Sequence, residues 1–395
     1  MDVELSVIKQ AYHKWKELND IISNETSSRK VNLPEAISEN IACNSLGFTR
    51  NMGSEPGDAH DKHGNLIEVK ATANFTEDLT SFSPTTNFDK LIFVRLNQDE
   101  DKAYIYDLGL NGKTLGKLPV NNHETVADQQ RDGRRPRLSL IDYIDKEGLE
   151  PTKTLDLTSD LNLQVDKADE RKSVVQQFKA TTKNSGEYIN VELSVIKQAY
   201  HKWKELNDII SNETSSRKVN LPEAISENIA CNSLGFTRNM GSEPGDAHDK
   251  HGNLIEVKAT ANFTEDLTSF SPTTNFDKLI FVRLNQDEDK AYIYDLGLNG
   301  KTLGKLPVNN HETVADQQRD GRRPRLSLID YIDKEGLEPT KTLDLTSDLN
   351  LKVETDEKKS MVRQFKVANQ IAKSKIAEQG TSISQKQGEY KGFKL

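Results

Sequence analysis

The chain of 395 residues carries 62 acidic against 53 basic side chains, a formal net charge of −9. That balance excludes a generic polycation, because phosphate neutralisation needs Lys and Arg, so any nucleic-acid contact must be concentrated in local basic clusters. With 34% hydrophobic and 29% charged residues, and apolar runs no longer than the strand-sized Leu91-Ile92-Phe93-Val94, a membrane-spanning helix is excluded. The N-terminus lacks the basic and apolar regions of a signal peptide. Cys43 and Cys231 lie in apolar stretches and read as buried free thiols, which fits a reducing, cytoplasmic setting.

The segment from Val3 to Leu163 recurs without a change from Val191 to Leu351. Two equal domains follow, at 1–165 and 191–354, each long enough to bury a core of its own. A deliberate single-chain dimer, a recent duplication and sequence exchange between the copies would all leave this record. The stretch between the copies, 166–190, has as a coil a reach of roughly 26–31 Å, enough for two small domains to pack side by side. Within it Val174, Val175 and Phe178 share their spacing with Met361, Val362 and Phe365 of a C-terminal extension, 355–395, so a short docked helix is expected in both. The extension ends in a polar, unstructured tail from Thr381 to Leu395.

In chain order, Val7, Ile8, Ala11, Tyr12, Trp15, Leu18 and Ile22 fall at three- and four-residue spacing, which predicts an amphipathic helix with Tyr12 and Trp15 in the core. A polar loop from Ser23 to Lys30 ends it. Pro34 opens a second helix that carries Ala36, Ile37, Ile41 and Ala42 and stops at Gly47. Leu66-Ile67-Glu68-Val69-Lys70 follows the turn dipeptide Gly64-Asn65 as a strand, and Leu91–Leu96 and Ala103–Leu108 form two more around the turn 97–102. The pattern is an α/β (α+β) fold with a small mixed sheet flanked by helices.

The chemistry concentrates in Glu55-Pro56-Gly57-Asp58 followed, after nine intervening residues, by Glu68-Val69-Lys70. Phosphodiester hydrolysis near neutral pH calls for a metal that neutralises the scissile phosphate and supplies hydroxide. Asp58 at a loop or strand edge and Glu68 on the adjoining strand can face one cleft, with the Val69 carbonyl as a further hard oxygen suited to Mg²⁺. Lys70 lies on the same strand face as Glu68, because side chains alternate, and can hold or help deprotonate the attacking water. Asp246, Glu256, Val257 and Lys258 repeat the set. Exposed acids flanking an amphipathic strand, with Lys70 as a surface lysine, are the plain alternative. A zinc site at His60 and His63 is disfavoured, since no Cys or third His follows at structural-zinc spacing.

This arrangement resembles the PD-(D/E)XK nuclease motif, with Asp58 as first acid, Glu68 as second and Lys70 as the lysine. It departs from it in the glycine between Pro56 and Asp58. The runs Trp15-Lys16-Glu17-Leu18-Asn19, Leu33-Pro34-Glu35-Ala36-Ile37-Ser38-Glu39, Gly57-Asp58-Ala59, Ile67-Glu68-Val69-Lys70 and Ser81-Phe82-Ser83-Pro84 together are similar to the small type II restriction enzymes that cut GCNGC sites. The resemblance implies two restriction-endonuclease-like domains and one or two Mg²⁺ per active site. A helical acid is expected to assist, Glu39 (Glu227 in the second copy) with Glu35 as runner-up. It also implies a double-stranded DNA substrate, inversion at phosphorus by direct attack of water, a dimeric arrangement that the fused copies would provide, a cognate DNA methyltransferase, and a prokaryotic cytoplasm.

Arg131, Arg134, Arg135 and Arg137 sit in a Gly/Pro-containing loop and can fork onto guanine edges or clamp phosphates; solvated surface charge is the alternative. Arg29 and Lys30 are further candidates for phosphate contact, and Ser81 and Ser83 either bind phosphate or cap a turn. Their counterparts are Arg319, Arg322, Arg323, Arg325, Arg217, Lys218, Ser269 and Ser271. Two rival functions remain: a repair, junction-resolving or modified-base-dependent nuclease, and a DNA-binding module without catalysis.

Overall fold

The computed structural model describes residues 3–26, 28–52, 56–85, 87–158, 191–239, 244–273 and 275–346. The segment 166–190, the helices expected around Val174 and Met361, the tail from Thr381 and the motif residue Glu55 lie outside them. Contacts divide the chain into a body, Met1–Leu343, that contains both copies, and a second unit, Asp344–Leu395. The described part of the second unit is short; there the Asp344 carboxylate accepts the Thr346 amide at 2.8 Å.

The first copy runs α1 (Leu5–Glu25), α2 (Glu35–Leu46), β1 (Thr49–Arg50), β2 (Ala59–His60), β3 (Leu66–Thr72), β4 (Thr80–Ser81), β5 (Lys90–Asn97), β6 (Lys102–Asp107), α3 (Gly112–Leu115), α4 (Val126–Arg131), β7 (Arg137–Leu138), α5 (Leu140–Glu147) and β8 (Lys153–Asp156). The second copy repeats the series as α6 (Leu193–Glu213), α7 (Glu223–Leu234), β9 (Thr237–Arg238), β10 (Ala247–His248), β11 (Leu254–Thr260), β12 (Thr268–Ser269), β13 (Lys278–Asn285), β14 (Lys290–Asp295), α8 (Gly300–Leu303), α9 (Val314–Arg319), β15 (Arg325–Leu326), α10 (Leu328–Glu335) and β16 (Lys341–Asp344).

Each copy is a mixed six-stranded sheet, ordered β1-β2-β3-β5-β6-β8 in the first. The predicted strands are all present, but β3 and β5 pair in parallel, Val69 opposite Ile92, and only β5 and β6 form a hairpin between them. Four consecutive residues of β5, Leu91 to Val94, are fully buried because both sheet faces are covered, the condition under which a strand loses its polar alternation. Leu91 and Phe93 join Phe82, Phe88, Leu140 and Ile144 in a core beneath α5. The other side receives α2, which touches β1, β3, β5 and β6.

Local chemistry explains the helix limits. α1 extends to Glu25, three residues into the stretch read as loop, and α2 begins after Pro34 with Glu35 favourably placed in its first turn. Gly47 closes α2 at φ 69°, a left-handed cap that a Cβ would strain. Tyr12 and Trp15 are core residues. The Tyr12 hydroxyl donates to Asp101 at 2.8 Å and the Trp15 indole to the Val31 carbonyl at 3.1 Å, pinning α1 to the β5–β6 turn and to the loop before α2.

α1 and α6 lie against each other. Lys14 meets Glu205 at 2.7 Å and Lys202 meets Glu17 at 2.9 Å, while weaker contacts within each helix, 3.6 and 3.4 Å, close a ring of four charges. Burial alone would raise both glutamates, yet the two lysines outweigh it and hold Glu17 and Glu205 below the usual carboxylate range. The stabilisation is therefore present above that range and lost as pH falls through the depressed values. These side chains are a quarter to a half exposed, so Lys14→Met is expected to cost no more than about 1 kcal/mol, less at high salt. Urea denaturation midpoints at two ionic strengths check it.

Candidate active site

β3 supplies two of the expected groups. Glu68 and Lys70 share one face of the strand, and the Lys70 ammonium reaches the Glu68 carboxylate at 2.5 Å. Only 8% of Glu68 is exposed, so the partner lysine offsets the cost of burying its charge.

Asp58 comes from the turn before β2, on the neighbouring edge of β3. Its amide donates to the Ile67 carbonyl at 2.9 Å, and its carboxylate accepts the Val69 amide at 2.7 Å. Residues two apart on a strand turn their backbone groups to the same edge. The Val69 carbonyl therefore faces the Asp58 side, beyond the last β2 pair, Ala59 with Ile67. Burial, then the Glu68 charge, push the Asp58 carboxyl up to about 6 against the opposing Val69 amide and Lys70 ammonium. Asp246 behaves alike, also rising to about 6.

The backbone that aims Asp58 depends on Gly57. It has φ +74°, and a Cβ there would stand 3.2 Å from the Ile67 carbonyl oxygen, so glycine accommodates both the left-handed turn and the close approach of β3. Gly57→Ala is expected to destabilise the fold by about 1 kcal/mol, which thermal melts measure.

Glu39 projects from α2 toward the same place, and its surroundings contain a residue that the sequence reading missed. Arg50 of β1 donates through Nε to Glu39 at 2.6 Å, the two side chains being 16% and 12% exposed. Burial raises Glu39 to about 7; Arg50 opposes this, and the charges of Asp58 and Glu35 add to it. Glu35 thus belongs to the same electrostatic cluster. Glu227 and Arg238 repeat the pair at 2.6 Å, and Glu227 also rises to about 7. The adjacent Cys231 thiol is pushed up to about 12, by burial first and then by Glu227, and is an inert core group.

Among the described residues no three His, Cys, Asp or Glu side chains are set as a ready-made metal cage. What converges is a pair, Asp58 and Glu68, with a backbone carbonyl beside it. That donor set suits Mg²⁺, which keeps several waters and takes one or two carboxylates together with substrate phosphate. Asp61 is occupied otherwise: it caps the 61–65 turn through the His63 and Asn65 amides at 2.9 and 3.0 Å and pairs with Lys90 at 2.9 Å. His60 Nδ1 lies 2.6 Å from Asn51 Oδ1, within hydrogen-bond reach.

The arginine group does not lie in one loop, as its sequence suggested. Arg131 ends α4 and Arg137 stands in β7, because a Thr125–Asp128 capping box starts a helix there. β7 pairs with β4, Ser81 opposite Arg137, and Gln130 donates to the Ser83 carbonyl at 2.8 Å. Both serines and Arg137 are thereby brought onto one ribbon. Arg131 pairs with Asp128 at 2.8 Å, and Arg134 with Glu124 and Asp132, whereas Arg135 and Arg137 are exposed. The same placement holds for Arg319, Arg322, Arg323 and Arg325 beside Ser269 and Ser271. Arg29, Lys30, Arg217 and Lys218 lie elsewhere, around a cavity of about 400 Å³ between the copies that Glu35 and Glu223 also line.

The family model of the Bsp6I restriction endonuclease matches residues 2–146 and again residues 189–334. The type II restriction enzyme Bsp6I of Bacillus sp. (strain RFL6) is 47% identical over 150 residues, which cover 38% of this chain and 85% of that enzyme. By class the protein is a restriction endonuclease, a site-specific deoxyribonuclease. It belongs to the Bsp6I restriction endonuclease family and contains that family's domain twice.

Proposed function

We propose that each copy is a Mg²⁺-dependent phosphodiesterase centre of the PD-(D/E)XK kind and that the two together cut both strands of a GC-rich, GCNGC-like site. The observation that carries this reading is the convergence of Asp58, Glu68 and Lys70 around the Val69 peptide, repeated at Asp246, Glu256, Lys258 and Val257. When bound, Mg²⁺ supplies charge neutralisation at the scissile phosphate and a water acidic enough to attack near neutral pH. Asp58, Glu68 and the Val69 carbonyl would hold it. Lys70, paired with Glu68 on the same strand face, positions the attacking water and offsets developing negative charge, while Glu39 assists from α2. Attack in line with the leaving oxygen inverts the phosphorus.

Duplex DNA would be gripped by the exposed Arg135 and Arg137 with Ser81 and Ser83, by Arg131 and Arg134 once their local carboxylates yield, and by Arg29 and Lys30 near the cavity between the copies, with the corresponding residues of the second copy. The ion pairs across α1 and α6 support an intramolecular dimer matched to a near-palindromic site. A cognate methyltransferase protecting that site, in a prokaryotic cytoplasm, completes the reading. Plasmid DNA, methylated and unmethylated at GCNGC, incubated in Mg²⁺ and sequenced at the fragment ends is the test. Discrete ends at GCNGC support it, ends only in methylated DNA point to a modified-base-dependent enzyme, and binding in Ca²⁺ with no cutting in Mg²⁺ overturns it.

A further inference from the structure

The guanidinium of Arg50 reaches into both copies. Nε holds Glu39 in its own copy at 2.6 Å, and Nη1 donates to the Thr214 carbonyl of the other copy at 3.2 Å. Arg238 repeats this in reverse, holding Glu227 at 2.6 Å and donating to the Thr26 carbonyl at 3.3 Å. Thr26 and Thr214 are the C-caps of α1 and α6, where backbone carbonyls lack helical partners and favour a cation. Each threonine is buried, and its hydroxyl fixes the cap by bonding Ile22 or Ile210 at 2.5 Å and Ser28 or Ser216 at 2.7 Å.

Resting on the reading of the site given above, we infer that Arg50 and Arg238 are positioning residues through which each catalytic centre is anchored on the opposite copy. The same strand segment that carries Arg50 also holds Asp58, since Arg50 pairs with Ala59 and the Asn51 amide donates to the Asp58 carbonyl at 3.0 Å, so the arm that fixes Glu39 bears on the metal-holding pair. The rigid fork of arginine reaches a carboxylate and a carbonyl at once, and a lysine satisfies only one of them. A centre in this chain is accordingly complete only while the two copies are docked, and an undocked half retains its acids but loses their alignment.

Two backgrounds isolate the centres: Lys258→Ala leaves only the first copy able to cut, and Lys70→Ala only the second. In the Lys258→Ala background, Arg50→Ala is expected to lower the nicking kcat roughly hundredfold with KM for plasmid little changed, and Arg50→Lys not to restore it. Thr214→Ala, which loosens the anchor in the opposite copy, is expected to slow nicking by the first centre about tenfold, while Thr26→Ala leaves it unchanged. The pattern reverses in the Lys70→Ala background. Thr214→Ser and Thr26→Ser keep the capping hydroxyl and should cut at the parent rate. Threonine variants that slow the centre of their own copy, both centres alike, or neither would overturn the inference. Nicking that persists with Lys70 and Lys258 both replaced would instead overturn the assignment of the site, so the two failures are distinguishable.

Discussion

A chain carrying Lys70→Ala should convert supercoiled plasmid to the nicked form at close to the parent rate and then stop, and Lys258→Ala should do the same on the opposite strand. With both lysines replaced, cutting should fall by on the order of 10³-fold or more. The expectation follows from placement. Lys70 touches Glu68 at 2.5 Å on β3, with about a quarter of its side chain exposed, and sits outside the hydrophobic cluster beneath α5, so its truncation removes water positioning and charge compensation while leaving that cluster intact. Fusion of the copies makes the outcome readable, because one active site can be silenced within a single molecule. Near-normal linearisation by either single variant would mean that one centre cuts both strands.

Asp58→Asn together with Asp246→Asn should abolish cleavage and, in chelator at about pH 8, make the protein more stable. Asparagine can still accept the Val69 amide that Asp58 accepts at 2.7 Å, but it carries no charge to be repelled by Glu68. Burial and that repulsion raise Asp58 from 3.8 to about 6, so the folded state binds the proton more tightly than the unfolded chain. For such a group, stability grows as pH falls from above 6 toward 4 and is lost as pH rises through 6. At neutral pH and above the ionised pair therefore costs the metal-free fold on the order of 1–2 kcal/mol per copy. The variant should melt a few degrees higher than the parent at about pH 8 and lose that advantage near pH 4. Millimolar Mg²⁺ should reverse the order at about pH 8, since only the parent gains binding free energy. A variant that melts below the parent in chelator would show that Asp58 is not held under repulsion.

Most of the frame that carries this site was legible from periodicity. α1 and α2 span several turns of apolar spacing, and β3, β5 and β6 are long enough for a strand pattern to register; alternation alone put Glu68 and Lys70 on one face. The elements that escaped were short. β1, β4 and β7 have two residues each, too few for any period, and exist because partners distant in sequence pair with them. Arg50 was invisible for the same reason: it lies in β1, and one of its partners is a backbone carbonyl in the other copy. A half-buried arginine eleven residues beyond a helical glutamate has no sequence signature. The arginine group was legible as basic, but the use of Glu124, Asp128 and Asp132 as local counter-ions depended on the α4 capping box.

Diffraction from crystals soaked in Mn²⁺, recorded at the manganese edge, would locate a bound divalent ion without reference to activity. A peak bounded by the carboxylates of Asp58 and Glu68 and the Val69 carbonyl, with its twin beside Asp246, Glu256 and Val257, is what the proposed chemistry requires. Manganese at the His60 and Asp61 turn, or no peak between those two acids, would contradict it.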